Sequence, residues 1–412
     1  MLLVTMKTNT FLPYAILLVS ISSIMSWCSL PIGNTFLWWF LDSIILYYFY
    51  KEKKTNYNII TVNLFLVYCI ISFLYGALLK TEYYWDWKLL VQNLMTFMLP
   101  LTVYAFCHPK QLSKILLFWF NYAWLILIIL TPFLSSDAFG RFLVPYSFLA
   151  LFAVLLDRKS IFFIIAAYII TCTLGNESRS DIIKFTFCIL LGSSFLIPKT
   201  RKLIFEYRRS IIYLFWTLPI ILFVFAAVGK FNIFRLEEEL GLEGKYNISN
   251  SLSGKEVSVL TDTRTLLYIE EISSAINNNY VLQGRSIARG YDSAYFGDAI
   301  DNPLNIKRGE RGSCEVSILN IFNYFGLIGV VIYFLIFASA SYKAVTQSQN
   351  LFVPIIGIYV AFRWAFGWIE DFSRFDLNYL FLWIMIGICF SPFYRNMSNK
   401  DIKHWLYQST KH

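Results

Sequence analysis

The chain has 412 residues, a length that would normally make two or three soluble domains. Its composition excludes them: 57% of the residues are hydrophobic, 19% aromatic and only 15% charged, against about 25% charged in soluble proteins. The net charge of +9 is not a nucleic-acid footprint either, because the excess sits in short clusters between apolar runs, where it encodes topology. The chain reads as an all-α polytopic membrane protein whose surroundings are the lipid bilayer, with no role for nucleic acid.

A spanning helix needs about 20 mostly apolar residues. Twelve runs qualify: 11–30, 35–50, 58–79, 88–107, 112–133, 140–156, 160–174, 181–197, 210–228, 316–340, 351–368 and 376–393. Backbone groups cannot stay unpaired in lipid, so each run is expected to be helical. The first run lacks a small-residue cleavage site and reads as a span, not a signal peptide. The connections alternate in charge. Lys51, Lys53 and Lys54, then Lys110 and Lys114, then Arg158 and Lys159, then the cluster from Lys199 to Arg209, mark one side. Lys343 and the tail basic residues Arg395, Lys400, Lys403 and Lys411 mark it again. Positive charge stays inside, so both termini are expected in the cytoplasm.

Three regions follow. Residues 1–228 hold nine spans, 229–315 form one large outer loop, and 316–412 hold three spans and a cytoplasmic tail. The loop opens with an amphipathic stretch, Phe231 to Leu242. A segment rich in Gly, Asn and Ser, Gly244 to Gly254, is expected to be mobile. Then comes a helix capped by Asp262 or Thr263. Leu266, Leu267, Ile269, Ile272 and Ile276 carry its apolar spacing, and Asn277-Asn278-Asn279 ends it. A loop this long in a compact protein usually works.

The chemistry is narrowed by what is scarce. The three histidines, His108, His404 and His412, all fall on the cytoplasmic side of this topology. Among the seven cysteines only Cys314 lies in the long polar segment, and no CxxC occurs. The outer connections have no D-x-D pair. No metal site and no cofactor is expected. Arginine is the positive signal: Arg179, Arg264, Arg285, Arg289, Arg308, Arg311 and Arg363 lie on the outer face or at its membrane boundary. A guanidinium presents a rigid fork to phosphate oxygens and keeps its charge, so such a set could bind a pyrophosphate. The competing reading pairs each arginine with a loop carboxylate. Arg363, inside a span, shares a helix face with Gly367 and Glu370, so a helix-locking Arg–Glu pair is its alternative. Glu315, at the end of the loop, is a candidate general base. Interfacial belts account for most Trp and Tyr, as in Tyr83-Tyr84-Trp85; Tyr280, Tyr291 and Tyr295 are candidate sugar contacts.

Three motifs carry a family likeness: Glu177-Ser-Arg179-Ser, Thr263-Arg264-Thr-Leu-Leu-Tyr268 running on to Gly284-Arg285, and Glu315 through Gly326-Leu-Ile-Gly329. With the many spans and the late outer loop, they resemble the O-antigen polymerase and ligase superfamily of the bacterial inner membrane. The resemblance implies transfer of a glycan from undecaprenyl pyrophosphate on the periplasmic face without a metal. Arg179 and Arg264 match the family's two arginine positions. It also implies an undecaprenyl-pyrophosphate-linked oligosaccharide as substrate and a chain-length regulator as protein partner. The ligase branch has a His eleven residues before the first Gly of GxxG; here that position is Glu315. The departure favours a polymerase of repeat units over a ligase acting on lipid A-core. A twelve-span flippase would be expected to show two similar halves, and none is visible.

Overall fold

The computed structural model describes residues 10–25, 27–30, 35–53, 58–175, 178–235, 247–249, 256–258, 264–294 and 309–410. Helices dominate, and the strands described are two short antiparallel pairs in the long polar segment. Each of the twelve apolar runs is helical over all or part of its length. Four helices are long and apolar enough to cross a membrane: Ile60–Leu79, Pro109–Phe133, Pro198–Ala227 and Ser317–Thr346. The protein is an all-helical chain with the character of a membrane protein.

Two runs expected as single helices are interrupted at proline. Run 140–156 divides into Ser136–Phe142 and Val144–Ala150, with Leu143 between them at φ −86°, ψ 6°. Pro145 has no N–H to donate and sits in the first turn of the second helix, where none is needed. Run 88–107 is helical from Tyr84 to Met98, then tightens into a 3-10 turn, Leu99–Leu101, around Pro100.

The core is built around Leu377–Phe390, of which every residue is buried. A helix that is apolar on all sides belongs inside a bundle. Val353–Phe366 and Ser317–Thr346 pack against it. The Pro198–Ala227 helix is its opposite: only Ile212 and Pro219 are buried, and apolar side chains such as Leu203, Leu214, Ile221 and Val224 are exposed, as suits a lipid-facing helix. The tail is not loose. Its helix, Asn399–Thr410, buries Ile402, Trp405 and Leu406, and the Trp405 indole donates to the Pro109 carbonyl at 2.8 Å.

In the long polar segment Asn247–Ser249 pairs with Glu256–Ser258 in an antiparallel pair, Ile248 opposite Val257. More consequentially, Tyr280–Gly290 is sunk into the bundle. Ser286, Ile287 and Ala288 are at most 1% exposed, and the last two join the main hydrophobic core. The Asn93 side-chain amide donates to the Ile287 carbonyl at 2.9 Å, and the Ile287 amide donates to the Ser72 hydroxyl at 3.3 Å.

The space for this loop comes from a broken helix. Ser317–Thr346 is interrupted at Gly326, whose φ of 63° and ψ of −168° are not helical. The break leaves helix N–H groups without intrahelical partners. The sunken loop supplies them: Leu327 N donates to Val281 O at 2.8 Å and Ile328 N to Leu282 O at 3.1 Å. In the other direction Arg285 N donates to Asn323 O at 2.6 Å. Irregular backbone at this depth survives because protein, not lipid, satisfies it.

Candidate functional site

The loop helix, Arg264–Asn277, is as amphipathic as its sequence suggests. Its buried face is Leu267, Glu271, Ser274 and Ala275. Ile269 and Ile276 are 54% and 61% exposed. Exposed isoleucines on one face of a short helix beside lipid-facing spans mark a helix suited to the membrane surface. The helix ends at the asparagine run, with Asn279 left-handed at φ 56°. Asp262 and Thr263, the expected caps, lie outside the described residues.

Beside this helix runs an apolar groove of about 740 Å³. One wall is the outer half of Pro198–Ala227, including Leu222 and Phe223; the other is Phe362 to Ile369. Tyr268, Ile269 and Ile272 of the loop helix and Phe231 to Phe234 close it. Aromatic packing and one hydrogen bond hold it in shape. Phe234 stacks on Tyr268 at 6.0 Å, Phe223 lies 5.8 Å from both Tyr268 and Trp368, and the Tyr268 hydroxyl donates to the Trp368 carbonyl at 2.8 Å. Two cations adjoin its lining residues in sequence. Exposed Lys230 lies between the lining residues Gly229 and Phe231, and half-buried Arg264 directly precedes the lining residue Thr265.

The expected arginines differ in how they are held. Arg285 and Arg289 both hold Glu310. Arg285 reaches it at 3.0 Å and also Asp292 at 2.7 Å; Arg289 donates to it through two nitrogens, one at 2.9 Å. These forks are occupied by loop carboxylates, and Glu310 is only 12% exposed. Arg363 is 1% exposed and donates to Asn378 at 3.0 Å, with its guanidinium over the Phe372 ring at 4.7 Å. Glu370 does not share its helix face as expected, because the helix Val353–Phe366 ends before it, and it turns instead to Lys184. Arg179 opens its helix, is exposed and makes no ion pair with a described acid; Glu177 beside it lies outside the described residues, as do Arg308 and Tyr295. Arg311 stands apart, holding Glu315 at 3.1 Å through one nitrogen.

Glu315 is 58% exposed at the start of the returning helix, open to a reacting hydroxyl. The loop helix carries an acid the sequence did not single out. Glu271 is fully buried, and neither carboxyl oxygen accepts a hydrogen bond of normal geometry. Burial pushes its pKa up to about 8, with the Cys314 thiol, the Asn323 amide and Arg311 pulling weakly the other way. It is therefore mostly a neutral carboxylic acid at pH 7. A carboxyl raised in the folded state favours the protonated protein. Folding stability is then full below the ordinary value of 4.5 and declines as pH rises towards 8. The total cost is up to about 5 kcal/mol, at 1.36 kcal/mol per unit. Glu271→Gln should raise the thermal unfolding temperature at pH 8.5 and leave it nearly unchanged at pH 5; equal shifts at both would contradict the buried-acid account.

A second set of buried charges lies between the helices. The Lys184 ammonium, 4% exposed, binds Asp181 at 2.6 Å and Glu370 at 2.7 Å. Ser178 donates to Asp181 at 2.8 Å. Nearby in sequence to Glu370, Asp376 receives Arg141 at 2.9 Å while capping the Leu377–Phe390 helix through the Tyr379 amide. The signal was present in the sequence: Lys184 is a lone cation in the apolar run 181–197.

No protein-family model, curated protein or solved structure matches the chain. The fold class, an all-helical membrane protein, and the site are thus read from the residues themselves.

Proposed function

We propose that the chain is an inner-membrane, metal-independent glycosyltransferase that polymerises oligosaccharide repeat units carried on undecaprenyl pyrophosphate, working at the periplasmic face. The observation that carries this reading is the apolar groove beside the amphipathic loop helix, with Lys230 and Arg264 next to its lining residues in sequence. Its chemistry suits an amphiphile with a long hydrocarbon chain and an anionic head. In this reading the twelve helical runs are spans, and both termini are cytoplasmic. The isoprenoid tail lies in the groove. Arg179, Arg264 and Arg311 hold the pyrophosphate, and Arg285, Arg289 and Arg363 keep structural partners.

Chemically, a hydroxyl of the incoming repeat attacks the anomeric carbon of the carrier-linked chain. The bond from that carbon to the pyrophosphate oxygen breaks. The hydroxyl proton passes to the Glu315 carboxylate, and the arginines stabilise the departing pyrophosphate. Glu315→Gln should abolish chain growth at normal protein level, and Arg264→Lys should fail because an ammonium lacks the fork. Full activity in either variant removes that residue's role.

The test of the reading as a whole is deletion, with surface glycan and carrier-lipid pools resolved by size. Surface glycan reduced to a single repeat marks a polymerase. Long chains left on the carrier mark a ligase. The broken helix at Gly326 favours a flippase as the second reading, since discontinuous helices line transport paths. Repeat units stranded on the cytoplasmic leaflet would establish it.

A further inference from the structure

The Pro198–Ala227 helix is longer than a bilayer needs. Its 30 residues rise about 45 Å, against a hydrocarbon core of about 30 Å. The surplus is basic: residues 198–210 carry Lys199, Arg201, Lys202, Arg208 and Arg209 against one acid, Glu206. Charge this dense is costly in hydrocarbon. The apolar stretch from Ile211 to Ala227 therefore takes the core, and the first three turns stand at the level of the lipid headgroups.

Those turns are held firmly and left uncovered. Arg208 is the anchor: its Nε donates to the Val345 carbonyl at 3.0 Å, tying the base of the helix to the last turn of Ser317–Thr346. Lys199, Lys202 and Arg209 are exposed, and none makes an ion pair with a described acid, Glu206 included. Spacings of three and seven place the three on one helix face. Leu203 and Tyr207, four apart and 56% and 51% exposed, form the adjoining face. A strip of unpaired cations beside a strip of exposed apolar side chains matches, in charge and in depth, a lipid with an anionic head. Among the described residues no carboxylate stands in for that head, as Glu310 does for Arg285 and Arg289.

We propose that the first three turns of Pro198–Ala227 bind anionic phospholipid of the surrounding bilayer. Lys199, Lys202 and Arg209 take the headgroup phosphates, and Leu203 and Tyr207 take the upper acyl chains. The surface shares no residue with the apolar groove, whose lining on this helix begins at Phe215. It does not depend on the polymerase reading.

The experiment uses the whole protein in detergent micelles, with bound lipids counted by native mass spectrometry. The probes are dioctanoyl phosphatidylglycerol, dioctanoyl phosphatidylcholine and glycerol phosphate, each titrated at low salt. A cation at the surface is worth about fivefold in affinity for an anionic membrane, so phosphatidylglycerol should bind at least about tenfold more tightly than phosphatidylcholine. The triple variant Lys199→Gln, Lys202→Gln, Arg209→Gln should lose that preference, whereas Lys199→Arg, Lys202→Arg, Arg209→Lys should keep it. Raising salt from about 50 mM to about 500 mM should erase the preference in the wild type, a check that needs no variant. Equal binding of the two lipids by the wild type overturns the proposal, as does a preference that survives in the triple glutamine variant. Glycerol phosphate binding as tightly as phosphatidylglycerol also overturns it, because the ligand would then be a free anion and not a lipid.

Discussion

Replacing Gly326 with alanine should remove the folded protein, seen as loss of the monodisperse species after detergent extraction. At φ 63°, ψ −168° the residue occupies a region open essentially to glycine, which costs other residues about 1–3 kcal/mol. The added Cβ would also fall 2.3 Å from Leu282 O and 2.5 Å from Gly284 N, both backbone atoms with no rotamer to escape into. The reciprocal contact is as tight: a Cβ on Gly284, at φ 80°, would sit 2.4 Å from Phe325 N. Either substitution drives the sunken loop off the broken helix and leaves Leu327 N and Ile328 N unpaired near the bundle core. Gly312→Ala serves as the comparison, because Gly312 carries no positive φ and its Cβ would meet only the end of the Leu89 side chain, at 3.6 Å. A Gly326→Ala protein that extracts and unfolds like wild type would show that the loop does not depend on this junction.

Lys184→Met should destabilise the bundle by about 3–5 kcal/mol, the usual cost of removing one partner from a buried ion pair. The residue is 4% exposed, and its ammonium is shared by two carboxylates, Asp181 and Glu370. Removing it strands both. The penalty arises from the stranded acids more than from the lost attraction, so it should be largely recovered in Lys184→Met combined with Asp181→Asn and Glu370→Gln. Thermal unfolding of the purified variants decides this. A single variant as stable as wild type would mean that water already reaches the cluster. A triple variant as weak as the single one would place the ammonium's importance in packing.

The helices were legible in the sequence because apolar runs of spanning length have few alternatives in lipid. Their breaks were less so, although Pro100 and Pro145 were in view. The loop helix shows where periodicity stops being informative. Its spacing marks an apolar face, but whether that face meets protein or lipid is decided by neighbours, and here Ile269 and Ile276 go outwards. For the same reason nothing in the sequence separates Glu270 from Glu271. One helical step of about 100° sends the first to the Ser293 hydroxyl, at 2.7 Å, and buries the second completely. The motifs around Gly284 and Gly326 were each visible, but their contact was not. It depends on a loop folding back into a gap that only a broken helix creates. Arginine supply was legible and arginine availability was not, since Glu310 decides the latter for Arg285 and Arg289.

The first described helix, Leu12–Met25, has a further implication. Its Ser23 hydroxyl accepts the amide of Leu377, 354 residues away, at 2.8 Å, and its Ser20 hydroxyl accepts the Trp119 indole. A ribosome delivers Ser23 to the membrane long before Leu377 exists. During synthesis, then, the earliest helix waits in the bilayer with a polar stripe unmatched and a place in the bundle held open. Closure is a late event, set by the arrival of the all-buried Leu377–Phe390 helix. A chain halted short of that helix would offer quality-control proteases an open bundle, not a shorter closed one.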